Sequence, residues 1–244
     1  MKEASITYLY HSGFAVETPN HFLIFDYYNN TTAAGENTLS NGVINSKLLP
    51  SDKTIYVFVT HSHGDHYNPV IFQWSKTHEI NYILSNDISI NATEENKISL
   101  MGPYENFKTD EIEIKTFGTT DKGVSFLIAV DGLNIFHSGD LNWWHWKEFT
   151  KDQQLQEELD FKRELDKLIG EEIDIAFLPV DPRLEEFAFL AGEYFISKLK
   201  PKLFIPMHFA DSPEISKEFA LRIEDFPTSA VVITGRGQQI IFSK

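Results

Sequence analysis

Cysteine is absent from the 244-residue chain, so no disulfide can staple it and no thiolate can hold a metal; any ligands must be imidazole or carboxylate. No apolar run reaches the roughly 18 residues that read as a membrane-spanning helix. The start, Met1-Lys2-Glu3-Ala4-Ser5, leads into a strand pattern without the apolar region of a signal peptide. A soluble, cytoplasmic protein is the expectation. Positive charge is also scarce, with 21 Lys and Arg against 36 Asp and Glu and a net charge of −15. Nucleic-acid binding rests largely on Lys and Arg displacing counterions from phosphates. The balance therefore argues against a polyanionic partner, although a local basic patch is compatible with it; with no long apolar run, no membrane partner is expected, and the expected partner is a small-molecule substrate. Oligomeric state is not encoded in these features.

The most informative stretch is His61-Ser62-His63-Gly64-Asp65-His66, directly after the apolar run Ile55-Tyr56-Val57-Phe58-Val59-Thr60. A β-branched and aromatic strand delivers three imidazoles and a carboxylate to a sheet edge, where ligands can converge. His61 and His63, two apart in extended chain, point to the same side. Gly64 is expected to let the backbone turn, bringing Asp65 and His66 in from another direction. Asn68-Pro69 then opens a helix, with Asn as cap and Pro at the first position. A His-rich surface loop is the bland alternative; four ligands at this spacing favour a metal centre.

The pattern His-x-His-x-Asp-His after a hydrophobic strand resembles the signature of the metallo-β-lactamase superfamily of hydrolases. Other residues match in order, each just beyond an apolar run: Asp26 after Phe22-Leu23-Ile24-Phe25, Asp140 after Ile135-Phe136-His137-Ser138-Gly139, and His208 after Leu203-Phe204-Ile205-Pro206-Met207. The resemblance spans nearly the whole chain and looks most like the branch containing L-ascorbate-6-phosphate lactonase and many metal-dependent hydrolases of unknown substrate. It implies a four-layer αββα sandwich, an α/β fold of the α+β type, as one hydrolase domain over residues 1–244. It also implies that His61 and His63 hold one metal, that Asp65, His66 and His208 hold a second, that Asp140 bridges both, and that Asp26 supports the ligand loop without touching metal.

One histidine of that pattern is missing. It would stand in the loop before Val124-Ser125-Phe126-Leu127-Ile128-Ala129-Val130, which here reads Phe117-Gly118-Thr119-Thr120-Asp121-Lys122-Gly123. The metal positions are therefore expected to be unequal, with Asp121, His145, His11 or nothing as the substitute. One or two divalent ions are expected, zinc or manganese first and iron as a further option, because mixed imidazole and carboxylate ligation accepts all three. The resemblance implies metal-assisted hydrolysis, in which a metal-activated hydroxide attacks a small anionic ester, lactone or phosphoester. Asp65 or Asp140 would orient the attacking water, and His145 or His11 would protonate the leaving group. The alternatives are a phosphodiesterase or nuclease of the same superfamily, and a metal-stabilised binding protein without catalysis.

Trp143, Trp144 and Trp146 cluster with His145 just after Asp140, either walling the mouth of the site or packing a loop under a charged helix. His11 at a strand end and Asp181-Pro182-Arg183 after the apolar strand ending at Val180 complete the substrate-binding candidates, together with Trp144. Arg183 can fork onto a carboxylate or phosphate, with Asp181 orienting it, or form a plain salt bridge. His21 and His78 read as surface residues, and Tyr27-Tyr28 as packing. The chain further reads as a meander over residues 5–28 with a turn at Pro19-Asn20, a loop over 29–53, a helix over 69–78 and strands from 81 to 137 with a hairpin turn at Asp131-Gly132. A charged helix follows over 151–169, with Leu155, Leu159, Leu165, Leu168 and Ile169 as its apolar stripe. Then come a strand ending at Pro179, a helix over 184–199 with Phe187, Leu190, Ala191 and Tyr194 inward, a strand at 203–205, a helix over 213–223 and a closing hairpin pairing 231–234 with 238–242.

Overall fold

The computed structural model describes residues 3–32, 35–90 and 97–244. It divides into two compact units, residues 1–102 with 234–244, and residues 103–233. In the first unit, β1 (Glu3–Tyr10), β2 (Gly13–Glu17) and β3 (His21–Phe25) form the expected antiparallel meander, and β4 (Thr54–Val59), β5 (Ile80–Ser85) and β6 (Lys97–Met101) continue it in parallel. All of β3 and all but the first residue of β4 are buried, the near-continuous apolar burial of a parallel sheet covered on both faces. The loop over 29–53, whose residues 33 and 34 lie outside the described ones, contains 3-10 turns at Leu39–Asn41 and Ser46–Leu48.

The segment Pro69–Lys76 is a 3-10 helix. Its start follows the expectation, with Pro at the first turn and the Asn68 side chain accepting from Val70 N at 2.9 Å. Its tighter winding has local causes. Ile71 O accepts from Tyr82 Oη at 2.8 Å and Phe72 O from Ser75 Oγ at 2.8 Å, and the β-branched and aromatic residues of this short segment are weak helix formers. Ile71 and Trp74 bury themselves among Tyr27, Val57 and Tyr82 in the core of this unit. His21 is a correction: it is 2% exposed and its ring lies 6.1 Å from that of Tyr56, because it opens a strand whose every residue is covered.

The second unit begins with the antiparallel strands β7 (Asn106–Lys108), β8 (Ile112–Phe117), β9 (Ser125–Val130) and β10 (Leu133–His137). The β9–β10 turn has positive φ at both Asp131 and Gly132, the requirement of a two-residue hairpin loop whose twist matches the strands. Then follow α1 (Lys151–Asp166), β11 (Ile175–Pro179), α2 (Leu190–Leu199), β12 (Leu203–Met207), α3 (Glu214–Arg222) and β13 (Ser229–Ala230), with β10 to β13 parallel. Finally β14 (Gln239–Ser243) pairs antiparallel with β1 of the first unit's sheet. Each unit thus carries a seven-stranded sheet that passes from a meander to parallel strands. No described helix is long and apolar enough to cross a membrane.

Three expectations for this half fail for identifiable reasons. The closing hairpin does not form. Val231 N donates to Phe204 O, and Ile233 is tied through both its N–H and its carbonyl to Ser216 Oγ, so this segment is claimed by β12 and α3, while β14 is claimed by β1. The second helix is split, with a 3-10 turn over Pro182–Phe187 ahead of α2 and Glu185 at φ 52°. The inward residues are Ala188, Ala191, Gly192, Phe195 and Ile196. Gly192 is required there, since a Cβ would lie 2.6 Å from the Phe219 ring.

Helix α1 starts on the full capping box of Thr150 and Gln153, yet it buries a different face from the leucine stripe. Leu155, Leu159 and Ile169 are more than half exposed, whereas Phe161, Glu164, Leu165 and Leu168 are buried. Positions 161, 164, 165 and 168 follow the i, i+3, i+4, i+7 ladder, and 155 and 159 fall on the opposite side. Buried Glu164 is supplied by the Tyr104 hydroxyl at 2.9 Å and Lys167 Nζ at 2.7 Å, which makes its place in that face tolerable. Phe161→Ala is expected to cost about 3–5 kcal/mol in urea unfolding, and Leu155→Ala to stay within about 0.5 kcal/mol. The reverse order would return the leucines to the core.

Candidate functional site

In the first unit the donors gather at the C-terminal ends of β1, β3 and β4. At the first two exits the chain takes a left-handed step, with His11 at φ 55° and Asp26 at φ 41°. A non-glycine residue there costs about 1–2 kcal/mol, and such outliers concentrate where a side chain must be aimed. The step turns Asp26, fully buried, toward the loop after β4. Its Oδ1 accepts from Thr60 N at 2.8 Å, and its Oδ2 from Thr60 Oγ1 at 2.7 Å and His66 Nδ1 at 2.7 Å.

These bonds set the imidazole tautomers. A carboxylate can only accept, so His66 carries its proton on Nδ1 and keeps a lone pair on Nε2. The Thr60 hydroxyl gives its hydrogen to Asp26, so its oxygen accepts from His61 Nδ1 at 3.1 Å, and His61 likewise keeps its lone pair on Nε2. That nitrogen faces His63 Nδ1 at 3.0 Å. His66 N and Tyr67 N both donate to His63 O at 3.0 Å, closing the turn that carries Asp65. Gly64 is not what allows this turn: its φ is not left-handed, and a Cβ there would meet open space.

Half-exposed Asp65 sits beside His11, whose Nε2 lies 3.6 Å from Asp65 Oδ2. One nitrogen each of His11 and His66 and one oxygen of Asp65 lie within 4.8 Å of one another. The hydrogen bond from His11 outweighs burial and holds the Asp65 carboxyl well below the usual carboxylate range. Asp65 is therefore an acceptor at neutral pH and not a proton donor. The groove lined by Lys53, Thr54, Thr77 and His78 lies at the opposite, N-terminal ends of β4 and β5, away from the donors.

The second unit repeats the device. His208 follows β12 at φ 67°, and its Nδ1 donates to Asp181 Oδ2 at 2.9 Å, which leaves the lone pair on Nε2, 3.4 Å from Asp140 Oδ1. Burial pushes the Asp181 carboxyl up, but hydrogen bonds from His208 and Arg183 outweigh it and hold its pKa at about 2. Arg183 grips Asp181 through Nε, at 2.9 and 3.0 Å, and through Nη2. Asp140, 4% exposed, follows β10 through Gly139 at φ 53°. Its carbonyl accepts from Trp144 Nε1 at 3.2 Å.

The tryptophans divide. Trp144 stands against His208, ring centroids 5.6 Å apart, and stacks on Trp146, over which the Arg183 guanidinium lies at 5.5 Å. Trp143 instead packs on Phe161 and Tyr194, and His145 lies on Phe187 at 4.3 Å, among the aromatic residues of the helical side. Two roles escape sequence reasoning. Thr60 links Asp26 to His61, and Asp181 anchors His208 as well as Arg183. The available signal for Asp181 is its place just beyond an apolar strand, the same place that Asp26 holds after β3.

Asp26→Asn and Asp181→Asn keep side-chain volume but weaken the anchors of His66 and His208. Each is expected to lower divalent-metal affinity about 10–100-fold, measured by chelator competition at neutral pH. Unchanged affinity in either variant would separate that histidine from metal binding.

Comparisons with known proteins bear on the family and the fold. Residues 5–208 match the family model described as beta-lactamase superfamily domain. A UPF0173 metal-dependent hydrolase of Bacillus velezensis is 26% identical, covering 96% of this chain and 98% of its own length. The UPF0173 metal-dependent hydrolase YtkL of Bacillus subtilis is 25% identical over the same shares. Among solved structures, a metallo hydrolase from the hyperthermophilic archaeon Ignicoccus hospitalis superposes with a TM-score of 0.66 at 20% identity, covering 99% of each chain. With the strand layout and the family model in accord, the chain belongs to the beta-lactamase superfamily and carries the metallo-β-lactamase fold.

Proposed function

We propose that this chain, a metal-dependent hydrolase of the metallo-β-lactamase superfamily, cleaves a small anionic ester, lactone or phosphoester and stands nearest the L-ascorbate-6-phosphate lactonase-like branch. The observation that carries the reading is the shared anchoring of three histidines. His61, His66 and His208 each give Nδ1–H to a protein oxygen and keep the Nε2 lone pair, the arrangement of metal-ligating imidazole. The donor set of imidazoles and ionised carboxylates therefore fits a divalent cation. The ligands proposed are His61, His63, Asp65 and His66 from the first unit and Asp140 and His208 from the second. Zinc and manganese head the choice of metal, with iron as a further option.

When bound, such an ion supplies Lewis acidity and a water acidified toward neutrality. The side chains supply the rest. Ionised Asp65 accepts a hydrogen bond from the attacking water and orients it. His11, beside Asp65, is placed to return a proton to the leaving group, and it takes precedence in this role over His145, which lies on Phe187. Arg183, stacked over Trp146 and braced by Asp181, offers a cation to the substrate's anionic group, and Trp144 an apolar wall. The small-substrate reading draws on the net charge of −15, which disfavours nucleic acid. The proposal takes residues 1–244 as one hydrolase domain in the cytoplasm, since the family match runs through residues of both units.

The test is turnover on a panel of lactones, phosphodiesters and thioesters by metal-loaded protein. Asp65→Ala is expected to abolish turnover while the unfolding transition is retained. Metal-loaded protein without turnover on any member would favour the non-catalytic binding protein, and cleavage of RNA or DNA alone would favour the nuclease.

A further inference from the structure

We propose that Asp121 is a metal ligand of this chain, sharing a divalent ion with Asp140 and occupying the place in the chain where the metallo-β-lactamase pattern has a histidine. The inference deepens the hydrolase reading and rests on it. Asp121 lies in the loop between β8 and β9, and one of its carboxylate oxygens is within 4.8 Å of one belonging to Asp140. The approach is built by the loop. The Thr120 hydroxyl accepts from Asn142 N at 3.0 Å and donates, as a shared bond, to Asn142 O at 2.6 Å and Asp140 O at 3.2 Å. Thr119 Oγ1 closes the turn on Lys122 O at 2.9 Å. Asp121, between Thr120 and Lys122, is thereby held close to Asp140.

Two carboxylates at this distance repel, and a divalent cation between them turns the repulsion into attraction. That a cation is the intended occupant follows from the other neighbour of Asp140. His208 turns Nε2 to within 3.4 Å of Asp140 Oδ1 while Asp181 holds its Nδ1, so an imidazole nitrogen and a second carboxylate both approach Asp140. The vacancy left by the missing histidine is thus chemically filled, by a harder donor. Replacing imidazole with carboxylate moves a site's preference away from zinc and toward manganese or ferrous iron.

Asp121 is exposed and takes no part in the core, so its variants are expected to fold. The experiment compares the full-length chain with Asp121→Asn and Asp121→His, stripped and titrated with Mn²⁺ followed by electron paramagnetic resonance, and with Zn²⁺ followed by chelator competition. Expected are a loss of one Mn²⁺ equivalent, or at least a tenfold weakening of it, in Asp121→Asn, and in Asp121→His recovered binding with the Zn²⁺ to Mn²⁺ preference raised at least tenfold. An Asp121→Asn variant that binds both ions with wild-type stoichiometry and affinity overturns the inference and leaves the hydrolase reading standing. Wild-type protein that binds neither ion overturns both.

Discussion

Two buried carboxylates, Asp26 and Asp181, govern the chemistry of this chain. Each is almost wholly removed from water, and an ionised carboxylate in such a place is tolerated only when its lone pairs are taken by donors. Asp26 receives them from Thr60 and His66, and Asp181 from His208 and Arg183. The need for donors and the orientation of the imidazoles are one constraint. A histidine that must serve the carboxylate through Nδ1 has only Nε2 left for a ligand, and it cannot rotate without leaving a buried charge uncompensated.

The backbone contributes strain to the same end. His11, Asp26 and His208 each follow the last residue of a strand and each adopt a positive φ. One left-handed residue at a strand exit reverses the direction in which the next side chain would otherwise leave the sheet. The cost of such a conformation is met by the strands that fix the flanking residues: β3 lies between β2 and β4, and β12 between β11 and β13. The layers of apolar strand residues are therefore part of the site, although none of them carries a donor.

The ligand loop was legible from residue types and spacing alone, because a dense run of His and Asp after an apolar strand has few structural uses. The supporting role of Asp26 was legible through the resemblance. The buried face of α1 was not, since Leu155 and Leu159 are apolar in a charged helix and only the packing of Phe161 on Trp143 and the burial of Leu165 and Leu168 tell the two faces apart. The closing hairpin misled in the same way. A Gly-Arg-Gly turn between two apolar runs has the local form of a hairpin, but backbone hydrogen bonds go to the strands that compete best for them, here β12 and β1.

Residue chemistry along the chain was enough to single out candidate donors and their order and to exclude thiolates, because the donor chemistry of a side chain is a property of its type and local spacing. It also marked the loop after β8 as departing from the family pattern. Tertiary structure decided what local sequence leaves open: which ring nitrogen of His66 and of His208 a carboxylate holds, that Asp181 belongs to His208 as well as to Arg183, that His145 goes to the aromatic packing, and that Asp121 comes up beside Asp140. Each of these depends on partners distant in sequence, whose approach is set by sheet register and strand exits.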